Sequence, residues 1–335
     1  MELFDRIRPV TDNDKLEYFS YSKLDVFENC PYRYKLQYID DMHSNTASLS
    51  TEIGTLLHKI LEIKARCIMN KEPVNYTFLE KVLNDGIEEK TEKGNEKIDG
   101  INRLSAKYFE DFFAKDDVTG MDYTQKTELF LDKVIHSRLE NDGYFPIGCE
   151  IPFDFIYNYG EEQDKKEVIF HGFIDSVRVN SDGDYKLVDY KSSKKVFIDS
   201  KIKTPMQMFI YDLACQSMYG KIPKEHEYDF ILIDQKQNES NGVCSKGYLT
   251  RGEKKLNKLL QQIDEYKANN EFAPKPTPLC YWCFACDKNQ TPNADKKYGG
   301  SCDYYSLWKP ENKVFSVNRT WGEEAEEHRE AKWVF

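Results

Sequence analysis

The chain of 335 residues has no apolar run near the ~20 residues needed to span a bilayer. Its first residues, Met1 to Arg6, lack the basic-then-apolar order of a secretion signal. The expectation is a cytoplasmic protein. An excess of positive charge is missing too: 47 basic residues face 58 acidic ones, for a formal charge of −11. Bulk composition therefore gives no footprint of nucleic-acid binding, and such a role would have to rest on a local patch. No internal repeat is visible. What remains is 40% hydrophobic and 31% charged, the balance of a soluble chain with a sizeable core. The length suits one large domain or two ordinary ones.

Nine cysteines in a cytoplasmic setting point to metal ligands or buried thiols rather than disulfides. Cys280, Cys283, Cys286 and Cys302 crowd near the C-terminus, whereas Cys67, Cys149, Cys215 and Cys244 are scattered packing residues.

Residues 1–18 read as a loose entry segment. A short helix follows, capped by Ser20 or Ser22 and ended near Cys30-Pro31. Residues 51–66 carry Ile53, Leu56, Leu57, Ile60 and Leu61 at helical spacing, with His58 beside the stripe. Residues 76–140 read as further helices, with Gly94 and Gly100 marking loops. After Gly143 strands are expected over 149–157, 168–179 and 185–190, then a helix over 205–219 and a strand over 228–233. A charged amphipathic helix over 251–270 leads through a proline-punctuated loop to the cysteines.

The informative segment lies between Gly172 and Lys191. Asn180-Ser-Asp-Gly-Asp184 is a turn signal between two β-rich runs. A turn centred on Asp182-Gly183 sets Asp175 opposite Tyr190, beside Asp189. Asp189 and Lys191 share a face because side chains alternate along a strand. Aspartate is disfavoured in runs such as Leu-Val-Asp-Tyr. Two close carboxylates are reconciled by a divalent cation, which polarises a phosphodiester and lowers the pKa of bound water. Lys191 would orient that water or offset transition-state charge. An ordinary exposed hairpin is the alternative reading of the same spacing. Six lysines between 186 and 203 (Lys186, Lys191, Lys194, Lys195, Lys201 and Lys203) form either a solvated face or a phosphate-facing patch.

The order of four pieces resembles the RecB-like PD-(D/E)XK nucleases: Gly54 with His58, Gly172 with Asp175, Asp189-Tyr190-Lys191, and Gln207 with Tyr211. The resemblance covers roughly residues 18–308. It implies a restriction-endonuclease-like α/β fold, with a mixed central sheet flanked by helices. It also implies metal ligation by His58, Asp175, Asp189 and the Tyr190 carbonyl, and catalysis by Asp175, Asp189 and Lys191. Gln207 and Tyr211 would steady Lys191 or contact phosphate. Glu150 matches a glutamate often found ahead of the metal-site strands and is read as supporting. Tyr190, Tyr281 and Trp282 are candidates for base stacking, though aromatics in such places are more often core.

The same group includes members with a four-iron cluster on one upstream and three downstream cysteines. The resemblance implies a [4Fe-4S] cluster on Cys30, Cys280, Cys283 and Cys302. Structural Zn2+ on Cys280, Cys283, Cys286 and Cys302 is the alternative, since thiolates suit either.

The expected organisation is an N-terminal segment over 1–18 and a nuclease domain over 19–310. That domain includes a helical insertion at 67–142 and a cysteine-cluster subdomain at 272–308. A tail follows at 311–335, whose last stretch mixes five glutamates with Trp333-Val-Phe335 and could dock a replication or recombination protein. The expected activity is Mg2+- or Mn2+-dependent hydrolysis of DNA, exonucleolytic, in phage or bacterial recombination, repair or replication. A structure-specific or adaptation-type endonuclease and a DNA-binding scaffold subunit are the alternatives.

Overall fold

A computed structural model describes residues 3–12, 14–42, 48–91, 94–136, 143–161, 163–197, 206–239, 245–286, 297–302 and 304. Cys244, Lys201, Lys203 and the tail expected at 311–335 lie outside them. The chain divides into two units, Met1–Ala273 and Pro274–Phe335.

In the first unit, β1 (Ile7–Arg8) and β2 (Tyr18–Phe19) precede helices α1 (Tyr21–Asn29) and α2 (Pro31–Tyr38). Ser20 caps α1 by accepting the Lys23 N–H, and Pro31 opens α2. Helix α3 (Leu49–Asn70) buries the apolar stripe legible in its sequence. Next come α4 (Tyr76–Asp85), the hairpin β3 (Gly86–Thr91) and β4 (Gly94–Asp99), α5 (Ile101–Lys107), α6 (Phe109–Phe113) and α7 (Tyr123–Phe130). The hairpin sits inside a stretch read from sequence as helical. Its strands are rich in Glu and Lys and largely exposed, so neither burial nor alternation marks them.

The sheet proper comprises β5 (Tyr144–Tyr159), β6 (Lys166–Asn180), β7 (Tyr185–Lys191), β8 (Glu225–Phe230) and β9 (Gln235–Glu239). With β1 outside β5 and β2 on β6 it has seven strands, in the order β1-β5-β6-β7-β8-β9. Pairing is mostly antiparallel; β2 on β6 and β7 on β8 are parallel. Between β7 and β8 the chain passes through α8 (Met206–Tyr219), and after β9 comes α9 (Lys246–Asn269). This is the expected mixed α/β architecture, a central, mostly antiparallel sheet flanked by helices.

Neighbouring residues on β7 enter different cores. Leu187 joins the cluster formed with α8, α9 and α1, and Val188 joins the one formed with α3 and α4. Burial on both faces explains why the run at Leu187 and Val188 is continuously apolar rather than alternating. It also makes Asp189, 1% exposed, expensive unless its charge is answered.

The turn between β6 and β7 differs from expectation by one residue. Asn180 accepts the Gly183 N–H through its carbonyl and donates to Asp184, enclosing a three-residue loop with Gly183 at φ 76°. A three-residue loop with its last residue in the left-handed region, where glycine is unstrained, replaces the expected two-residue turn. Ser176 therefore pairs with Val188, and Asp175 is level with Asp189 rather than Tyr190.

Among the described residues no helix is long and apolar enough to cross a membrane.

Candidate active site

The site forms where the sheet's regularity fails. Pro146 pairs with Arg178 and Gly148 with Val177, leaving Ile147 as an extra residue on β5. Cys149 then pairs with Ser176 and Ile151 with Ile174, so Glu150 lies across from Asp175. Glu150 has φ 45°, a left-handed conformation that costs a non-glycine residue roughly 1–3 kcal/mol. The alternation of β6 slips at the same level. Val168, Phe170 and Ile174 point into one apolar cluster, and so does Val177, three residues on instead of two. Asp175 falls in that slip.

The other edge of β6 opens at this level as well. β2 pairs at Ile169 and Phe170, and β7 only from Ser176 onward. Asp175 bridges the gap by accepting the Tyr190 N–H through Oδ2 at 2.7 Å. A side-chain carboxylate thus replaces a ladder bond.

α3 brings in His58. A Cβ on Gly54 would meet the Ser192 hydroxyl at 3.2 Å, so this glycine lets the helix approach the chain just beyond β7. His58 Nε2 lies 3.1 Å from the Tyr190 carbonyl oxygen and Nδ1 lies 3.3 Å from Glu150 Oε1. Asp175 Oδ2 is 3.7 Å from Nδ1. Both partners are acceptors, so both ring nitrogens donate and the ring is an imidazolium. Burial opposes that charge, but the Glu150 hydrogen bond and the charge of Asp175 outweigh it and push the pKa up to about 9. The Asp175 carboxyl is itself pushed up to about 7, first by burial and then by the charge of Asp189.

On the α8 side of β7, Lys191 Nζ lies 2.5 Å from Asp189 Oδ2 and donates to Gln207 Oε1 at 3.1 Å. Gln207 Nε2 donates to Asp189 Oδ1 at 2.8 Å and to the Tyr211 hydroxyl at 2.9 Å. An ammonium only donates, which fixes the amide with its oxygen toward Lys191 and its nitrogen toward Asp189. Burial and the charge of Asp189 hold the Tyr211 phenol protonated.

One ligand atom from each of His58, Glu150 and Asp175 lies within 4.8 Å of the others. Asp189 Oδ2 is buried and accepts no hydrogen bond among the described residues; it forms an ion pair with Lys191. Carboxylate oxygens, an imidazole and a backbone carbonyl are the donors that Mg2+ and Mn2+ take. Three carboxylates answered by one ammonium and one titratable imidazole leave charge for such a cation to balance, so the residues fit it.

His58, Asp175, Asp189, Tyr190, Lys191, Gln207 and Tyr211, all named from sequence, are brought to one place. Glu150, read from sequence as supporting, stands close to His58 and Asp175, and Asp189 beside them is held by Lys191 and Gln207. A signal for Glu150 was present in Pro146-Ile-Gly-Cys-Glu-Ile-Pro152, where breakers inside a strand mark an irregularity.

Other readings are corrected. Lys186 does not belong to a phosphate-facing run: it is 3% exposed, pairs with Glu227 at 3.3 Å and lies over the Tyr144 ring. Tyr190 is buried and cannot stack on a base, whereas Trp282 is 56% exposed. Cys149 and Cys215 are buried packing residues as expected.

Cys30, in the first unit, ends α1 and caps α2, its sulfur accepting the Arg33 N–H at 3.5 Å. In the second unit Cys286 and Cys302 form a parallel bridge, and Cys286 Sγ donates to the Cys280 carbonyl at 3.1 Å. Hydrogen bonds with the Cys283 and Cys302 thiols hold the Cys286 thiol protonated. Cys286 is therefore inside the cysteine group, not beside it.

Among curated proteins none matches the chain. The sequence model of a family described as the PD-(D/E)XK nuclease superfamily matches residues 18–287, which span α1, β5 to β7, α8 and every residue of the cluster around Asp175. The chain belongs to the PD-(D/E)XK nuclease superfamily.

Proposed function

We propose that the protein is a Mg2+- or Mn2+-dependent deoxyribonuclease of the RecB-like branch, acting as an exonuclease in DNA recombination, repair or replication. The observation that carries this reading is the level row of Glu150, Asp175 and Asp189 on three adjacent strands, closed by His58 on one side and Lys191 on the other. His58, Glu150, Asp175, Asp189 and the Tyr190 carbonyl would hold the cation. When bound, the cation supplies Lewis-acid polarisation of the scissile phosphate and a nucleophilic water at neutral pH.

The chain's own groups do the rest. Gln207 fixes Lys191 Nζ beside Asp189, and Tyr211 fixes Gln207. Lys191 donates a hydrogen bond to the attacking water and offsets the charge gathering on the phosphoryl oxygens. Exposed Lys194 and Lys195 follow on the same segment and suit contact with the phosphate backbone. The exonuclease assignment rests on the resemblance of the motif order to the RecB-like nucleases, a group that includes many phage exonucleases.

The test is digestion of end-labelled linear and circular DNA with Mn2+ by wild type, Asp189→Ala and Lys191→Ala. The reading expects cleavage by wild type alone and confined to linear DNA. Cleavage of circular DNA would overturn the exonuclease assignment. No cleavage by folded wild type would overturn the nuclease reading and favour a binding subunit.

We further propose a [4Fe-4S] cluster on Cys30, Cys280, Cys283 and Cys302. The contact of Cys286 with Cys283 and Cys302 favours the rival zinc set with Cys280. Iron and zinc analysis of wild type, Cys30→Ser and Cys286→Ser distinguishes them. Iron lost with Cys30 supports the cluster, and zinc lost with Cys286 overturns it.

A further inference from the structure

Tyr190 touches the site through its backbone. Its N–H is held by Asp175, and its carbonyl accepts from His58. Its side chain leaves on the opposite errand: the ring is buried, and its hydroxyl accepts from Arg178 at 3.0 Å. Arg178 is 1% exposed, an unusual place for a guanidinium.

The strand register explains how the two meet. Arg178 pairs with Lys186, and Ser176 pairs with Val188 in the next row on the same sheet face. Tyr190 is two residues beyond Val188, again on that face. Arg178 and Tyr190 therefore lean toward one another over the Ser176–Val188 row, where serine leaves room. On β8, Asp229 pairs with Tyr190 and Glu227 with Val188, and both acids are buried. Glu227 pairs with Lys186 at 3.3 Å and is held charged in part by Arg178, and Lys236 at the strand edge pairs with both acids. The guanidinium's charge balance thus does not depend on the tyrosine hydroxyl.

We infer that Arg178 is a positioning residue for the metal site. It anchors the far end of Tyr190 and thereby fixes the peptide whose N–H orients Asp175 and whose carbonyl faces His58. This rests on the metal-site reading above. Beyond Ser176 the β6–β7 ladder has stopped, so backbone pairing to β6 no longer holds this peptide, and a side-chain anchor has work to do there. Groups that orient metal ligands from behind typically change affinity by about 10–100-fold when removed.

The decisive variant is Tyr190→Phe. It keeps ring, backbone and charge balance and removes only the hydrogen bond. Mn2+ binding to the metal-free protein is measured by calorimetry for wild type, Tyr190→Phe, Arg178→Met and the double variant, with circular dichroism as the check on folding. The inference expects Tyr190→Phe to weaken Mn2+ about tenfold. It also expects the double variant to be no weaker than Arg178→Met alone, because both remove one link. Unchanged Mn2+ affinity in folded Tyr190→Phe overturns the positioning role, even if Arg178→Met is unstable. A wild type that binds no Mn2+ overturns the metal site itself, a separate and recognisable failure.

Discussion

Glu150 stands across the ladder from Asp175, and His58 Nδ1 lies 3.3 Å from the first carboxylate and 3.7 Å from the second. Two acids and a protonated ring in one place are stable without a cation only while the ring keeps its proton. On the proposed metal-site reading Glu150 is a ligand, although its motif suggests a supporting residue. Glu150→Ala should reduce Mn2+ affinity by at least about tenfold. The metal-free protein should unfold at nearly the wild-type temperature, because a repelling carboxylate has gone along with its bond to His58. Calorimetry with Mn2+ and thermal melts with and without it check both halves. A variant that binds Mn2+ as wild type does would return Glu150 to a supporting role.

The same geometry sets a pH dependence. In the metal-free protein His58 holds a proton below about 9 and Asp175 holds one below about 7. A cation must displace both, so affinity falls as pH falls. Above 9 it should be flat. Between 7 and 9 it should change by about tenfold per pH unit, and below 7 more steeply as the second proton joins. Calorimetry in buffers of different ionisation enthalpy counts the protons released. Affinity independent of pH between 6 and 9 would contradict the assignment of these two groups.

Lys191 separates catalysis from binding. Its ammonium competes with a cation for Asp189, 2.5 Å away. Lys191→Ala should therefore leave Mn2+ affinity equal to or tighter than wild type, while turnover on linear DNA falls by about 100- to 1000-fold. Lys191→Arg keeps the charge but changes its shape and should restore little. Weaker Mn2+ binding in Lys191→Ala would show instead that the lysine holds the ligands in place.

What could be read from sequence followed periodicity and order. The stripe from Ile53 to Leu61 gave α3, and the turn at Asn180 to Asp184 gave the β6–β7 hairpin. The motif order named Asp189, Lys191, Gln207 and Tyr211, which the chain does bring into hydrogen-bonding range. What escaped reading depends on pairing rather than on local pattern. β1 and β2 are two residues long and have no period. β9, Gln235–Glu239, is polar throughout, as an edge strand can be. The role of Glu150 requires a positive φ and an extra residue at Ile147, both consequences of how β5 meets β6. Lys186 looked like one of a basic run, yet its neighbour across the sheet is Glu227, a contact that no linear spacing contains.

A last prediction concerns stability away from the site. Asp116 and Lys126 form a buried ion pair in the helical segment. Asp116 also accepts the N–H groups of Val118 and Thr119 and the Thr119 hydroxyl. Burial acts to raise its pKa, but the Lys126 hydrogen bond and these donors outweigh burial and hold the carboxyl below the usual range. A carboxyl depressed in the folded state contributes stability above its unfolded pKa, and that contribution is lost as pH falls through the folded value. Asp116→Asn keeps the shape but leaves Lys126, 1% exposed, without its counter-charge. It should lower stability by roughly 3–5 kcal/mol at neutral pH. Urea titrations at pH 7 and in steps below pH 4 test this. The gap between wild type and variant should be full at pH 7 and narrow only in the acid range. An equal gap at every pH would mean that the loss is one of packing, not of charge.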